Sequence, residues 1–245
     1  MSHLQRLVEQ AVADAREREK SPLPERADPV RPFPRQGLIA EVKRASPSRG
    51  AINPGLDPAL LSQAYQRGGA AAVSVLTDRV HFGGCLQDLV AVRTAVGLPV
   101  LRKDFLVNEF QIREARAHGA DAVLLIAAAA EAPLLRDLRA LARELRLTVL
   151  FEVHEESELE AAALCAPDLL GINARNLKTL EVDPGTFARL APRARGIAPL
   201  VAESGVRSAV DVRRYRWEGA AMVLVGEALS SSADPEGAAR ALVQA

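Results

Sequence analysis

The chain has 245 residues, a length at which α/β barrels occur as single domains, although two smaller domains would also fit. Hydrophobic residues make up 49% of it and aromatic residues only 4%, which predicts a core of alanine, leucine and valine. Basic and acidic residues balance at 31 each, so an electrostatic nucleic-acid binder is not expected. No apolar stretch approaches the roughly 20 residues of a membrane span.

The first predicted element is a helix over residues 3–19, where apolar side chains recur at helical spacing. Five prolines between residues 22 and 34 then interrupt regular structure and indicate a stiff connector. We therefore assign residues 1–36 to an N-terminal helical extension and connector, and residues 37–245 to a barrel domain. The N-terminus has no apolar signal-peptide region, and Cys85 and Cys165 form no CxxC pair, so a cytoplasmic location is expected.

From residue 37 onward, short apolar runs alternate with amphipathic helical stretches. The predicted strands cover 38–43, 71–76, 99–103, 121–126, 148–153, 168–173, 198–203 and 221–225. The predicted helices cover 57–67, 85–96, 108–118, 132–146, 156–165, 184–192, 207–217 and 234–244. Eight strands that alternate with helices predict an α/β fold, a (β/α)8 TIM barrel with an N-terminal helical extension.

Polar residues collect where the predicted strands end. They are Glu41 and Lys43, Thr77 and Asp78, Lys103 and Asp104, Glu152, Asn173 and Arg175, and Glu203 and Ser204. The carboxyl ends of barrel strands share one rim, where the active sites of this fold lie. Glu41 and Lys43 also share a strand face with the apolar Ile39, because residues two apart point the same way. A solvated strand end with a surface ion pair is the competing interpretation.

Lysines and carboxylates in one pocket would shift each other's pKa values. A lysine in a partly apolar, positively charged mouth can donate a proton near neutral pH, although a rim lysine can also extend into water. A glutamate that faces the barrel axis can act as a general base, or it can fix the position of a lysine. Asn173 and Ser204 can orient a hydroxyl or carboxyl group, or cap the next helix.

The loops after the seventh and eighth predicted strands carry the signals of a phosphate site. Gly205 and Gly226 would let backbone N–H groups approach an anion, since barrels often bind phosphate with these two loops. Ser46 and Ser48, after the first strand, could add hydroxyl contacts. These residues predict a binding site for a phosphorylated small molecule.

Several motifs are absent. No GxGxxG sequence opens a strand–helix unit, and no HExxH sequence or acidic cluster indicates a metal, so neither a dinucleotide cofactor nor a metal is expected. Of four scattered histidines, His154 lies two residues after Glu152. Continued strand alternation would point both side chains at the rim, and a solvated loop histidine is the competing interpretation.

Over about residues 36–230, these motifs resemble the indole-3-glycerol-phosphate synthase family of tryptophan biosynthesis. The resemblance rests on Ile39–Pro47, Ser74–Asp78, Leu101–Phe105, Gly171–Arg175 and Val201–Gly205. It implies ring closure, decarboxylation and dehydration of 1-(2-carboxyphenylamino)-1-deoxyribulose 5-phosphate to indole-3-glycerol phosphate. This carboxy-lyase reaction would need no cofactor or metal.

The resemblance also assigns roles to residues. Lys103 matches the general acid that protonates the ketone oxygen, and Lys43 matches a lysine that holds the substrate carboxylate or donates a proton in dehydration. Glu152 matches the acid/base glutamate, and Glu41 and Glu203 match carboxylates that position the lysines and the substrate hydroxyls. Polar groups around the anthranilate moiety match Asn173 and Ser204. Phe105 and Arg175 are further substrate-binding matches, and Arg175 is expected to brace the loop after the sixth strand. The family's phosphate-binding positions match Ser46, Gly205, Gly226 and Glu227.

Two positions depart from the family's pattern. Cys85 stands where the family commonly has a serine, and Glu227 replaces a small hydroxyl residue. Because a carboxylate would repel phosphate, Glu227 is expected to offer its backbone N–H with its side chain turned away.

Two other functions fit the phosphate loops. One is another phosphosugar barrel enzyme, such as an isomerase, and the other is a phosphate-binding barrel without catalysis. Lys103 and the pair Glu41 and Lys43 argue against the first, and Lys43, Lys103 and Glu152 argue against the second. The expected partner is a small phosphosugar substrate, with no nucleic acid and no membrane, in a monomer or weak homo-oligomer.

Overall fold

The computed structural model of the chain describes residues 3–26 and 28–245, which contain ten strands. They are β1 (Gly37–Val42), β2 (Ala45–Ser46), β3 (Gly50–Ala51), β4 (Ala72–Leu76), β5 (Val100–Lys103), β6 (Ala122–Ile126), β7 (Thr148–Val153), β8 (Leu169–Asn173), β9 (Leu200–Glu203) and β10 (Met222–Val225). Eight of them close a barrel in the order β1-β10-β9-β8-β7-β6-β5-β4, with β1 and β4 paired in parallel. The predicted (β/α)8 barrel is confirmed, and each predicted barrel strand agrees with the observed one within two residues.

The helices follow the strands in alternation. They are α1 (His3–Arg18), α2 (Pro58–Arg67), α3 (Arg79–Phe82), α4 (Leu86–Ala95), α5 (Glu109–Ala117), α6 (Ala132–Glu144), α7 (Leu159–Cys165), α8 (Thr186–Ala194), α9 (Ala209–Trp217), α10 (Glu227–Ser230) and α11 (Pro235–Val243). The pair β2–β3 and the helices α3 and α10 were not predicted, because elements of two to four residues carry no periodic pattern. Within the two described ranges, no helix has both the length and the apolarity that a membrane crossing requires.

Two apolar layers hold the barrel. Along β7, Leu150 belongs to the cluster inside the barrel, whereas Val149 and Phe151 belong to the cluster between the sheet and the helices. This alternation follows from the period of two in a strand. The inner layer is built from small and medium side chains, including Ile39, Ala72, Leu101, Ala122, Leu124, Leu150, Leu169, Val201, Met222 and Leu224. Aliphatic side chains thus fill the inner layer, as predicted, whereas the layer between the sheet and the helices also buries the rings of Tyr65, Phe151, Phe187 and Tyr215.

The N-terminal helix packs at the rim end of the barrel. Leu4 and Leu7 of α1 join the inner apolar cluster together with Phe105 and Ile126, which lie at the carboxyl ends of their strands. The chain then returns to the opposite end, where the backbone N–H of Arg31 donates to Asp121 at 2.6 Å, just before β6. The connector therefore reaches the end of the barrel opposite the rim at Arg31, and α1 contributes to the mouth.

Candidate functional site

The inward faces of the barrel strands change from apolar to charged as they reach the rim. Glu41 follows Ile39 on β1, and Lys103 follows Leu101 on β5, each two residues later and therefore on the same face. The charged side chains that meet near the barrel axis are Glu41, Lys103, Glu152 and Glu203. The carboxyl ends of four strands thus build one site from residues far apart in sequence.

The ammonium group of Lys103 lies among three carboxylates. Its Nζ is 3.9 Å from Oε2 of Glu41, 3.8 Å from Oε2 of Glu152 and 3.6 Å from Oε2 of Glu203. The carboxylate side chains are at most 3% exposed, whereas that of Lys103 is 17% exposed. Charges buried this deeply are stable only when they are paired, so the four groups act as one electrostatic unit.

The surroundings of Lys103 fix its protonation state. Burial opposes the charge, but the carboxylates of Glu152, Glu41 and Glu203 outweigh burial and raise the pKa of Lys103 above its ordinary value. Lys103 therefore keeps its proton throughout the neutral pH range. The groups nearest to the Lys103 ammonium are thus carboxylates, which favour its charged form.

Glu152 and Glu203 form a coupled pair of buried carboxyl groups. Burial and the nearby charge of Glu152 raise the pKa of Glu203 well above its usual range. Burial acts against ionisation of Glu152 too, but Lys103 and His154 outweigh it and hold the pKa of Glu152 below its usual range. The two pKa shifts run in opposite directions, so Glu152 gives up its proton more readily than Glu203.

Lys43 has a different environment from Lys103. Its Nζ lies 3.6 Å from Oε1 of Glu41 and 5.7 Å from the ring centroid of Phe82. Burial, together with the positive charges of Lys103 and Arg175, outweighs Glu41 and lowers the pKa of Lys43. Because Glu41 is only 3% exposed, the pair is not the solvated surface ion pair that the sequence left open.

His154 is buried, so the interpretation as a solvated loop histidine is wrong. Its Nε2 lies 3.1 Å from Oε1 of Glu152, and its side chain is 7% exposed. Burial acts against the charged ring, but the carboxylates of Glu152 and Glu158 outweigh it and raise the pKa of His154 to about 10. The strand alternation that predicted a common direction for Glu152 and His154 continues past the end of β7.

Asn173 organises the rim next to this cluster. Its Oδ1 accepts hydrogen bonds from Oγ of Ser204 at 2.8 Å and from the backbone N–H of Arg175 at 2.9 Å. The Arg175 guanidinium donates to Oγ of Ser48 and to the carbonyl of Leu180, both at 2.9 Å. Arg175 thereby braces the loop after β8 and ties it to the loop after β1.

Two cavities meet at Lys103. The larger, of about 450 Å³, has a polar lining that includes Lys43, Arg49, Lys103, Arg175, Ser204, Gly205, Arg207, Gly226 and Glu227. The smaller, of about 40 Å³, has a largely apolar lining that includes Leu76, Phe82, Phe105, Leu124, Ile126 and Leu177, with Lys103, Glu152 and Asn173 at its polar end. The site therefore offers a cationic compartment and an apolar compartment to one ligand.

Ser46 and Glu227 differ in how they meet the larger cavity. Among the described residues, Ser46 is absent from both linings, and its Oγ lies 3.5 Å from Oγ of Ser48. Glu227 turns its carboxylate to Arg49, with which it forms an ion pair at the cavity mouth.

In residues 3–26 and 28–245, no group of three His, Cys, Asp or Glu side chains could hold a metal ion.

Two glycines leave the space that the buried carboxylates occupy. A Cβ atom at Gly171 would overlap Oε1 of Glu203, and one at Gly226 would overlap Oε1 of Glu41. From the sequence, Gly226 is predicted as a phosphate contact, and Gly171 stands out only as part of the Gly171–Arg175 motif. A glycine in the middle of an otherwise apolar strand was the available signal of a close approach.

Replacing Gly171 by alanine is expected to lower kcat by about tenfold or more, because the new methyl group displaces Glu203 from Lys103. The same crowding should lower the free energy of unfolding by about 1–3 kcal/mol. Gly55→Ala is the matched control, since a Cβ there has no neighbour within 4 Å. Steady-state kinetics and denaturant unfolding measure both effects, and wild-type values for Gly171→Ala would contradict the assigned role.

The sequence patterns missed several residues of the cavities. Arg49 and Arg207 line the polar cavity, and Phe82 and Leu177 line the apolar one. All four lie in loops or in a one-turn helix, where neither strand nor helix periodicity marks a direction. Cys85, a departure noted in the sequence, is the residue before α4 and lines neither cavity of the described site.

Comparisons with known proteins identify relatives of this chain. The model of the family described as Indole-3-glycerol phosphate synthase matches residues 3–242. The protein named Indole-3-glycerol phosphate synthase from Mycobacterium sp. (strain KMS) is 54% identical over 209 residues, which cover 85% of this chain and 77% of that protein. The protein of the same name from Parafrankia sp. (strain EAN1pec) is 53% identical over 217 residues, 89% of this chain and 81% of that protein.

A solved structure with the same architecture is much more distant in sequence. The structure titled Crystal Structure of 3-Hexulose-6-Phosphate Synthase superposes with a TM-score of 0.68 at 18% identity, covering 85% of this chain and 98% of that one. At this identity the likeness shows the barrel fold alone.

Proposed function

Because the chain belongs to the indole-3-glycerol phosphate synthase family, we propose that it closes the indole ring of 1-(2-carboxyphenylamino)-1-deoxyribulose 5-phosphate. The products are indole-3-glycerol phosphate, carbon dioxide and water, so the protein is a carbon–carbon lyase of the carboxy-lyase class. One observation carries the proposal. The ammonium group of Lys103 stands among three carboxylates where a polar cavity meets an apolar one.

The two cavities suit the two ends of this substrate. The phosphate binds in the polar cavity, where Arg175 supplies positive charge and the loops at Gly205 and Gly226 bring backbone N–H groups to its wall. The carboxyphenyl ring binds in the apolar cavity against Phe105. The ketone carbon and the ring carbon that bears the carboxylate then meet beside Lys103.

In ring closure, the ring carbon attacks the ketone carbon, and the electron pair of the carbonyl bond passes to its oxygen. Lys103 donates its proton to that oxygen, which becomes a hydroxyl group. The raised pKa of Lys103 ensures that the proton is present, and the surrounding carboxylates fix the direction of the ammonium group. Loss of carbon dioxide returns an electron pair to the ring and restores its aromatic character.

In the dehydration that follows, the hydroxyl group leaves as water with a proton from an acid, and a base removes a proton from the neighbouring methylene carbon. Glu152 is the base, since it is ionised and lies 3.8 Å from the Lys103 ammonium. Lys43 holds the substrate carboxylate before decarboxylation, and its lowered pKa then suits it to release a proton to the leaving hydroxyl group. Glu41 and Glu203 hold the lysines and the substrate hydroxyls in place.

Lys43→Arg separates the two roles of Lys43. Arginine keeps the charge that binds a carboxylate, but its pKa above 12 makes it a poor proton donor. We expect kcat to fall by about 10–100-fold while KM changes by less than about threefold. Wild-type activity should fall as the pH rises through the pKa of Lys43, where the acid loses its proton. Because this pKa is lowered, the fall begins at a lower pH than it would for an ordinary lysine, and the arginine variant should lack it. An unchanged kcat with a raised KM would assign Lys43 to binding alone.

The direct test is the formation of a fluorescent indole product from the carboxyphenylamino deoxyribulose phosphate by the purified protein. The proposal expects turnover without any second protein. A parallel incubation with an aminoaldose phosphate examines the isomerase alternative. Folded protein that converts only the aminoaldose, or that binds phosphosugars without forming indole, would contradict the proposal.

A further inference from the structure

Glu152 is the inner end of a row of ionisable side chains that reaches from the barrel axis to the surface. Its Oε2 faces the Lys103 ammonium at 3.8 Å, and its Oε1 faces Nε2 of His154 at 3.1 Å. On the other side of the imidazole, Oε2 of Glu158 lies 3.6 Å from Nδ1. Side-chain exposure rises along the row, from 1% for Glu152 to 7% for His154 and 17% for Glu158.

The backbone after β7 builds this row. His154 is two residues past Glu152 and keeps the same direction. The chain then makes a one-turn 3-10 helix over Glu156–Glu158, which brings the carboxylate of Glu158 back to the strand end. There Oε2 of Glu158 accepts the backbone N–H groups of His154 at 2.5 Å and of Glu155 at 3.2 Å. The carboxylate of Glu158 is thereby fixed by the residue whose ring it faces.

An imidazole between two carboxylates is a cation. Each ring nitrogen of His154 faces a carboxylate oxygen, and a neutral ring carries only one N–H, so one of the two faces would lack a donor. Burial acts against the charge, but Glu152 and Glu158 outweigh it and raise the pKa of His154. Burial also acts against the charge of Glu158, but the His154 ring that it faces and the backbone N–H of His154 outweigh burial and lower the pKa of Glu158.

We propose that His154 and Glu158 are positioning residues for Glu152: the His154 imidazolium, held by Glu158, aims the free oxygen of Glu152 at the reacting centre and keeps Glu152 ionised during the reaction. The inference rests on the proposed function, in which Lys103 gives its proton to the substrate. At that moment Glu152 loses the charge of its other cationic neighbour. A buried carboxylate beside Glu203 would then take up a proton, unless a second cation holds it ionised.

The remaining charged groups near the row are distributed around a separate cavity and across the barrel axis. A cavity of about 590 Å³ next to His154 is lined by the charged residues Glu155, Glu181, Asp183 and Arg189. Lys178 lies 3.6 Å from Glu155. Across the axis, Glu152 and Glu203 both face Lys103. In the described parts of the chain, the cations that contact Glu152 are thus Lys103 and His154.

The first experiment measures the charge of His154 without any turnover. Two-dimensional NMR spectra of the imidazole nitrogens are recorded between pH 5 and pH 10 for the wild type, Glu158→Gln and Glu156→Gln, and His154→Gln identifies the signal by its loss. Wild-type His154 should remain an imidazolium at pH 8, and Glu158→Gln should lower its midpoint by about one pH unit or more. Glu156 is the matched control, because its 56% exposed side chain pairs with Arg193 away from His154.

The second experiment measures the consequence for catalysis. In His154→Gln, Glu152 loses a cation, so its pKa should rise and the acidic limb of the kcat profile should move to higher pH by about one unit or more. KM should change by less than about threefold, and Glu156→Gln should keep the wild-type profile. Because glutamine at position 154 can still donate a hydrogen bond to Glu152, the comparison of His154→Gln with the wild type isolates the effect of the imidazolium charge.

The outcomes distinguish an error in the positioning role of His154 and Glu158 from an error in the proposed function. A wild-type His154 midpoint near 6.5, or a midpoint unchanged in Glu158→Gln, would overturn the inference whether or not the protein makes indole. A lower kcat in His154→Gln with an unmoved acidic limb would also overturn it, because such a loss is structural. If His154→Gln does not fold, substitution of the other three histidines in turn assigns the His154 signal by elimination, and the midpoint in Glu158→Gln then decides. Absence of indole from the wild type would instead refute the proposed function.

Discussion

Replacing Lys103 by alanine is expected to lower kcat by about 10³-fold or more, while the substrate still binds. The variant removes both the proton for the ketone oxygen and the positive charge that faces three carboxylates. Substrate contacts in the two flanking cavities remain, so the Kd should change by less than about tenfold. Single-turnover indole fluorescence and equilibrium binding of the substrate, measured on the same preparation, report the two quantities.

Lys20→Ala is the control for this substitution. Its ammonium group lies just past the end of α1, 69% exposed and paired with Glu17, outside both cavities. We expect wild-type kcat for this variant. Because Lys103→Ala leaves buried carboxylates without their cation, circular dichroism should accompany the kinetics, so that loss of the fold is not mistaken for loss of the acid. Near-normal turnover by folded Lys103→Ala would assign the general acid to another group.

Replacing Arg102 by methionine is expected to lower the free energy of unfolding by about 3–5 kcal/mol, the loss typical when one partner of a buried ion pair is removed. Arg102 points away from the barrel axis and has no exposed surface. Its guanidinium lies 3.1 Å from Oδ2 of Asp104 and 3.0 Å from Oε2 of Glu114, and it also donates to Oγ1 of Thr77. Methionine fills the space but leaves both carboxylates with fewer partners.

The same substitution affects the N-terminal extension. Glu114 is shared between Arg102 and Arg18, whose Nε donates to Oε1 of Glu114 at 2.7 Å. Arg113→Met is the matched control. Arg113 lies on α5 next to Glu114, but its side chain is 51% exposed and pairs with the exposed Glu109, at 3.6 Å. Arg113→Met should lower the free energy of unfolding by less than about 1 kcal/mol, as for other exposed ion pairs. Equal unfolding midpoints for the two variants would show that Arg102 does not hold the barrel wall.

The period of two in a strand made much of the site predictable. Glu41 and Lys103 stood out because they continue apolar strand faces, and the rim rule then predicted that they would meet. The protonation states were not predictable in the same way. The pKa of Lys103 depends on carboxylates from β1, β7 and β9, and their distances are set by the closure of the barrel and not by local sequence.

Residues outside regular strands were harder to predict. His154 follows the last residue of β7, so the sequence left open whether the alternation continues, and the 3-10 turn that returns Glu158 has no periodic signal. Arg102 was visible only as a charge beside Lys103, since nothing local marks the outer face of β5 as a place for a buried ion pair. The position of α1 at the rim also depends on long-range contacts. The proline-rich connector limits how far α1 can lie from the barrel, but it does not determine which end of the barrel α1 packs against.

Ring closure with decarboxylation is tested by a single-turnover reaction of purified protein with substrate labelled with ¹³C in its carboxylate. Indole fluorescence and released ¹³CO₂ are followed together. We expect one carbon dioxide for each indole formed by the wild type, without an added metal or cofactor, and neither product at a comparable rate from folded Lys103→Ala. Folded wild-type protein that binds the substrate but releases no carbon dioxide would contradict it.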